Sequence, residues 1–355
     1  MIAGMADLVS AVQRNCHIAD ARHARGMTLC TYLLEMREFY RWEHDLPLGV
    51  PPPREDVGRW ISEREAYWEE IEEADFADLP LAGRRVPPFE AARANEDLLP
   101  AGLVYGAGIG RFGKPHFFLA RLERREGEAG GDGPQVLVCG CEYARDLNAL
   151  PAALQGDTVI VRREALRQWL WEKAEAWGVK QREGPMAAAL ASYGFGAGGT
   201  ADAQALERMT DAETDTLILH ERGEWQVGRV LGPDWERMLA GLGNLRAELL
   251  ARAVRDLWAD CLATLPALLA RERAGALHFW FANLEGMRRE LAPDLVAAYA
   301  AWAGGDAAPL RDAAAAGAAH WQAMARRLLA SHLAAPEGAA GELEALSFRL
   351  PELAR

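Results

Sequence analysis

The sequence predicts a mainly helical α+β protein, with a helical N-terminal unit, a small antiparallel sheet in the middle and a C-terminal helix bundle. Three observations predict it. Leu29, Tyr32, Leu33, Met36, Phe39 and Tyr40 step by three and four, which is one face of a helix. Phe117 to Arg124 and Gln135 to Glu142 read as strands on either side of the turn-rich segment Gly127 to Pro134. Leu245, Leu249, Ala253, Leu257, Cys261 and Leu265 recur every four residues inside a helical pattern running from Asp234 to Leu333.

The elements follow in order. A first helix is expected from Met5 to Ala24, stopped by Gly26. A second starts after Thr28 and runs to Asp45. Pro51, Pro52 and Pro53 break the chain, because proline lacks an amide hydrogen. A third helix spans Arg54 to Ala74, with Trp60, Tyr67 and Trp68 on its apolar side. Residues 76–100 are rich in Pro, Arg and Leu and read as an irregular linker. Strands are expected at Leu103 to Ala107, at the two segments named above and at Thr158 to Val161, followed by a helix from Arg163 to Trp177. Thr216 to Val230 fits a helix or a hairpin turning at Arg222-Gly223. Consecutive amphipathic helices beyond it pack most economically as a bundle. The expected boundaries are 1–75, 76–180, a Gly/Ala-rich junction 181–213, and 214–355.

Composition bounds the function. The chain has 355 residues, of which 50% are hydrophobic and 26% charged, the range of folded globular proteins. No apolar run reaches the roughly 20 residues of a membrane helix. Met1 to Gln13 lacks a basic leader and carries Asp7, so a cytoplasmic location without membrane association is expected. Five scattered cysteines suit reduced thiols rather than a disulfide framework. A net charge of −13 argues against nucleic acid, whose phosphates need a basic surface. A homo-oligomer is compatible with this composition.

Three polar clusters carry candidate chemistry. In the first, Cys16, Asp20 and His23 fall on one helix face, with His17 beside them. Thiolate, carboxylate and imidazole are metal-ligand types, and a Cys or His here is also a candidate catalytic group. The alternative is a polar helix edge bonded to its neighbours. The second is the Gly-rich stretch Gly106 to His116. No helix follows its glycines, so it lacks the anion-binding helix N-terminus of a phosphate loop. Arg111 and Lys114 remain as candidate anion ligands with Arg145, which lies with Glu142 and Asp146 on the other side of the sheet segment, and His116 as a candidate catalytic group. Cys139 and Cys141, two apart in a strand, are expected on one face. The third cluster is His220, Glu224, Asp260 and His278. His220 and Glu224 lie one turn apart if the segment is helical, and Asp260 falls on an apolar stripe. A buried carboxylate there needs a metal ion or a cation such as Arg252, Arg255 or Arg288. The missing Glu-x-x-His pair counts against a di-metal carboxylate bundle.

Cys16 to Ala24, Leu29 to Glu38 and Gly110 to Phe118 resemble strings of an uncharacterised bacterial family of similar length with no assigned function. The resemblance covers most of the chain and implies no catalytic residue, cofactor or substrate. Two functional expectations therefore stand. One is an enzyme with a metal (iron, zinc or manganese) or a polar pocket between helical units, acting on a small anionic substrate. The other is a metal-free interaction or scaffold protein whose buried polar residues fix helix register.

Overall fold

Helix α1 (Met5–His23) is the axle of the N-terminal half in the computed structural model, which describes residues 4–81, 83–110, 113–127, 131–180, 182–196, 203–243, 245–335 and 340–343. Leu8, Val12, Cys16 and Ala19 recur every three or four residues and pack with Leu79, Leu98, Tyr105, Phe117 and Leu119. On another side of the same helix, Ile18, Ala21 and the adjoining Ala24 join Met36, Phe39, Trp60, Trp68 and Ile71. These last residues lie on α2 (Leu29–Glu43), capped by the Thr28 hydroxyl, and on α3 (Arg54–Ile71). From Asn15 to Ala21 every residue of α1 is buried. Its polar side chains must therefore find partners inside the protein.

Residues 76–100 are not the irregular linker that their Pro and Arg content suggests. They form a hairpin of β1 (Leu79–Leu81) and β2 (Arg84–Val86), then α4 (Ala91–Leu98). Leu79, Leu81 and Val86 are buried, which is the driving force the charged neighbours obscured. Asn15 secures this segment to α1, exchanging two hydrogen bonds with the Ala77 backbone at 2.7 and 2.8 Å.

The sheet has five strands: β3 (Leu103–Ile109), β4 (Pro115–Glu126), β5 (Gln135–Arg145), β6 (Ala152–Gln155) and β7 (Thr158–Arg162), in the order β3-β4-β5-β7-β6. β3, β4 and β5 are antiparallel neighbours. Gly106 lies opposite Phe118, and a Cβ there would sit 2.0 Å from that ring, so only glycine fits. The β4/β5 register shifts where Ala120 and Leu122 face Glu142 and Cys139, so that Gly140 and Cys141 of β5 stand against Arg121 alone. This bulge corrects the cysteine expectation. Cys139 is buried and Cys141 exposed, because the extra residue breaks the alternation of faces.

The described chain divides into two compact units. The first contains residues 1–127, 135–155 and 160–169; the second contains residues 128–134, 156–159 and 170–355. Helix α5 (Arg163–Lys180) runs from the first into the second. The second unit continues with α6 (Pro185–Tyr193), α7 (Ala203–Leu231), α8 (Pro233–Gly241), α9 (Leu245–Ala259), a π turn (Asp260–Thr264), α10 (Leu265–Ala270), α11 (Ala274–Ala282), α12 (Gly286–Leu291), α13 (Pro293–Ala303) and α14 (Ala308–Ala334). Thr216 to Val230 is therefore helix, with Thr214, Ile218, Glu221 and Val227 buried at helical spacing. Gly223 sits against α9, where a Cβ would meet the Ala259 carbonyl oxygen at 2.7 Å. The Gly/Ala-rich stretch 181–213 carries α6 and the first turns of α7, since alanine favours helix. The fold is α+β and mainly α. No described helix is long and apolar enough to cross a membrane.

Candidate functional site

A buried ion network joins α1 to the sheet in the first unit. Asp20 is fully buried; Lys114 Nζ lies 2.8 Å from its Oδ1, and the Leu147 amide donates to its Oδ2 at 2.8 Å. Lys114 also lies 3.9 Å from Asp146 Oδ2. His116 Nδ1 is hydrogen-bonded to that same Asp146 oxygen. On the other side of Asp146, Arg162 Nη1 stands 4.0 Å from Oδ1 and its Nε bonds Glu142. Arg145 Nη1 reaches Glu142 Oε2 at 3.6 Å and Gln168 at 3.1 Å. Gln13 ties the Arg145 backbone to α1 through bonds of 3.0 and 3.1 Å.

Electrostatics separate the two aspartates. Burial pushes Asp146 up, but His116, Lys114 and Arg162 outweigh it and hold the carboxyl below its usual range. Burial raises Asp20 to about 6 against the pull of Lys114, and the negative charge of Asp146 adds to the rise. Among the described residues, Glu142 Oε2, Asp146 Oδ1, Arg145 Nε and Arg162 Nη2 are buried without a hydrogen bond. The network is thus rich in charge and incompletely satisfied.

The helix-face candidates of the first cluster take different environments. Cys16 donates its thiol proton to the Phe117 carbonyl at 3.2 Å, and burial pushes its pKa well up, which favours the protonated thiol. His17 faces α3, with Arg64 Nη1 at 2.6 Å from Nε2 and the Trp68 indole donating to Nδ1 at 3.3 Å. Burial, then the Arg64 charge, lowers it to about 3, and it stays neutral. His23 is partly buried. Burial lowers its pKa, and Lys114 and His116 add repulsion. Arg111 lies outside the described residues. Arg145 is held by Glu142 and Gln168 and is buried, so it braces the network.

His116 stands apart from these. Its Nδ1 is fixed by Asp146, its side chain keeps 18% of its exposure, and its Nε2 makes no hydrogen bond among the described residues. That nitrogen faces Gly110, where a Cβ would lie 2.5 Å from it. Glycine at 110 therefore leaves the ring nitrogen room.

The second unit holds its own network. His220 on α7 is bracketed by Asp260 Oδ1 at 2.8 Å from Nδ1 and Glu224 Oε1 at 3.3 Å from Nε2. Arg288 reaches Asp260 Oδ2 at 2.7 Å, and Arg255 reaches Glu224 at 3.0 Å. Burial disfavours the imidazolium, yet Asp260 and Glu224 raise the His220 pKa well above its ordinary value. His220 is a lasting cation, with both nitrogens engaged. Burial lifts Glu221 to about 7 and Asp256 to about 6, with repulsion from Glu224 adding to each. Asp260 is the first residue of the π turn. His278 is elsewhere, bonded to the Tyr299 hydroxyl at 2.8 Å and edge-on to Trp302. Among the described residues no three His, Cys, Asp or Glu side chains gather to hold one metal ion.

Residues 7–162 match the N-terminal domain, and residues 167–348 the C-terminal domain, of the family of unknown function DUF6866. The chain belongs to this family. No curated protein and no solved structure matches it. The family's N-terminal domain contains the whole Asp20–Lys114–Asp146–His116 network, and its C-terminal domain the whole His220–Asp260–Arg288 network.

Asp146 meets Lys114 and His116 of the Gly-rich stretch and also Arg162. One further residue of interest had no motif to mark it. Glu213 on α7 is 3% exposed, accepts a 2.7 Å bond from the Tyr193 hydroxyl and has no cationic partner among the described residues. Burial raises its pKa to about 8, while bonds from Tyr193 and Thr216 restrain the rise. Its signal was an acid among Met209, Thr210, Thr214 and Thr216, on the face α7 buries.

Proposed function

We propose that the chain is an enzyme that moves a proton at His116 and acts on a small anionic substrate. Asp146 is the positioning carboxylate. It fixes the ring through Nδ1 and leaves Nε2 as the atom that takes or gives the proton. Lys114 and Arg162 keep Asp146 ionised, so it accepts the Nδ1 proton and selects the tautomer whose Nε2 is basic. His23, close enough to feel the charge of His116, is a second imidazole for the substrate side. Arg111, in the Gly-rich stretch of the sequence, is the cation that an anionic substrate calls for, whereas the Lys114 charge is taken up by Asp20 and Asp146. The observation carrying this reading is the asymmetry of His116: one nitrogen bound to a buried aspartate, the other cleared by Gly110.

A metal-free interaction or scaffold protein has its own support. Asp20, His17 and His220 are all engaged by neighbouring side chains, as register-fixing residues would be. One experiment separates the readings. Wild-type protein is screened against phosphomonoesters, phosphodiesters, sulfate esters and half-esters of dicarboxylic acids, all anionic, and any turnover is repeated with His116→Gln and Asp146→Asn. The enzyme reading expects His116→Gln to lose about 10²–10⁴-fold in kcat. Turnover that survives in His116→Gln at the wild-type rate refutes it.

A further inference from the structure

The geometry points to a binding site for a small organic cation in the cavity where α1, α2 and α3 meet, with Glu65 and Glu69 as its charge and Tyr32 and Trp68 as its aromatic wall. The site shares no residue with the His116 network and does not depend on it. The cavity measures about 360 Å³, within the range of pockets that enclose small ligands. Ala21, Ala24, Met27 and Leu29 give it an apolar lining.

The charge around it is unbalanced. Glu65, Glu69 and Glu72 fall at i, i+4 and i+7 of the α3 pattern, so one face of the helix and its end bring three carboxylates to the rim. Arg25 lies 3.2 Å from Glu72 and neutralises it. Glu65 and Glu69 have no cationic partner among the described residues. The C-terminal end of α3 is itself offset by Arg22, which donates to the Glu72 and Ala74 carbonyls at 2.8 Å. The charge left at the cavity is therefore that of Glu65 and Glu69, two carboxylates one turn apart that a cationic ligand would neutralise.

The wall decides which cation. Tyr32 donates its hydroxyl hydrogen to Glu65 Oε1 at 2.8 Å, which orients that carboxylate and leaves Oε2 for a ligand. Burial, together with Glu65, raises the Tyr32 pKa and keeps the phenol a donor. The Trp68 indole is fixed by its bond to His17. Aromatic faces attract ammonium and guanidinium groups, and apolar side chains accept the carbon frame behind them. A hydrated metal ion would gain nothing from alanine, methionine and leucine. An ammonium or guanidinium on an apolar body of modest size satisfies both halves of the cavity.

The test titrates the full chain with benzylamine and benzyltrimethylammonium by ligand-observed NMR, with benzyl alcohol and benzoate as controls. Both cations should bind saturably, benzyl alcohol at least about fivefold more weakly, and benzoate not at all. In Glu65→Gln/Glu69→Gln, whose two side chains are exposed and whose fold is checked by circular dichroism, cation binding should weaken about fivefold or more while the alcohol is unchanged. Equal affinity for alcohol and ammonium, absence of saturable binding by either cation, or unaltered cation binding in the double variant would each overturn the assignment.

Discussion

Replacing Glu213 by Gln should remove a large part of the pH dependence of stability in the second unit. Burial raises this carboxyl from its ordinary 4.5 to about 8, so the folded protein holds a proton that the unfolded chain releases. A group with a raised folded pKa stabilises fully below its unfolded value. That contribution fades as pH rises from about 4.5 and is gone above about 8. At 1.36 kcal/mol per pH unit the loss across this window is about 5 kcal/mol. Glutamine has the same shape and accepts the Tyr193 hydroxyl bond in the same way, but it has no proton to lose. The assay is urea unfolding of wild type and Glu213→Gln at pH 5 and pH 8.5, followed by tryptophan fluorescence. Taking the difference between the two proteins at each pH cancels the other titrating groups. The variants should be close at pH 5. At pH 8.5 Glu213→Gln should be the more stable by up to about 5 kcal/mol, a midpoint shift of roughly 2 M urea. Parallel pH profiles for the two proteins would refute the reasoning, because they would mean that Glu213 gives up its proton in the fold at no greater cost than in the unfolded chain.

Two further outcomes are expected. Lys114→Met leaves Asp20 and Asp146 facing each other without their shared cation, and should cost about 3–5 kcal/mol in urea unfolding of the first unit. Adding Asp20→Asn to it should recover part of that loss. Gly223→Ala drives a methyl group into the Ala259 carbonyl and should cost about 1–3 kcal/mol in urea unfolding, whereas Gly228→Ala on the same helix, with nothing within 4 Å, should be neutral or stabilising in the same assay.

The helical segments and the central hairpin were legible because apolar periodicity survives in any single stretch of sequence. Residues 29–40 show it, and so does the stripe through Leu257 that made Asp260 stand out. That stripe correctly asked for a cation, and Arg288 supplies it, while Arg252 bonds Glu248 instead. Three features were not legible for the same physical reason. The burial of Asn15, His17 and Asp20 follows from α1 being packed on more than one side, which a one-sided amphipathic reading misses. The order in 76–100 comes from three short apolar residues pressed on α1 rather than from local propensity. The His116–Asp146 bond depends on β5 running on to Arg145 past a bulge; both residues stand out in the sequence, but no local pattern pairs them.

The central position of α1 has a consequence during synthesis. The carboxylate of Asp20 finds its backbone donor at Leu147, 127 residues later in the chain. At translation speeds of about 5–20 residues per second, α1 waits roughly 6–25 s for that partner. During this interval Leu8, Val12, Ile18 and an aspartate without its lysine are at the mercy of other nascent chains. Helix α1 is enclosed only after Leu147 has been made, so ribosome-bound intermediates that end before that residue are the species that chaperones would have most reason to hold.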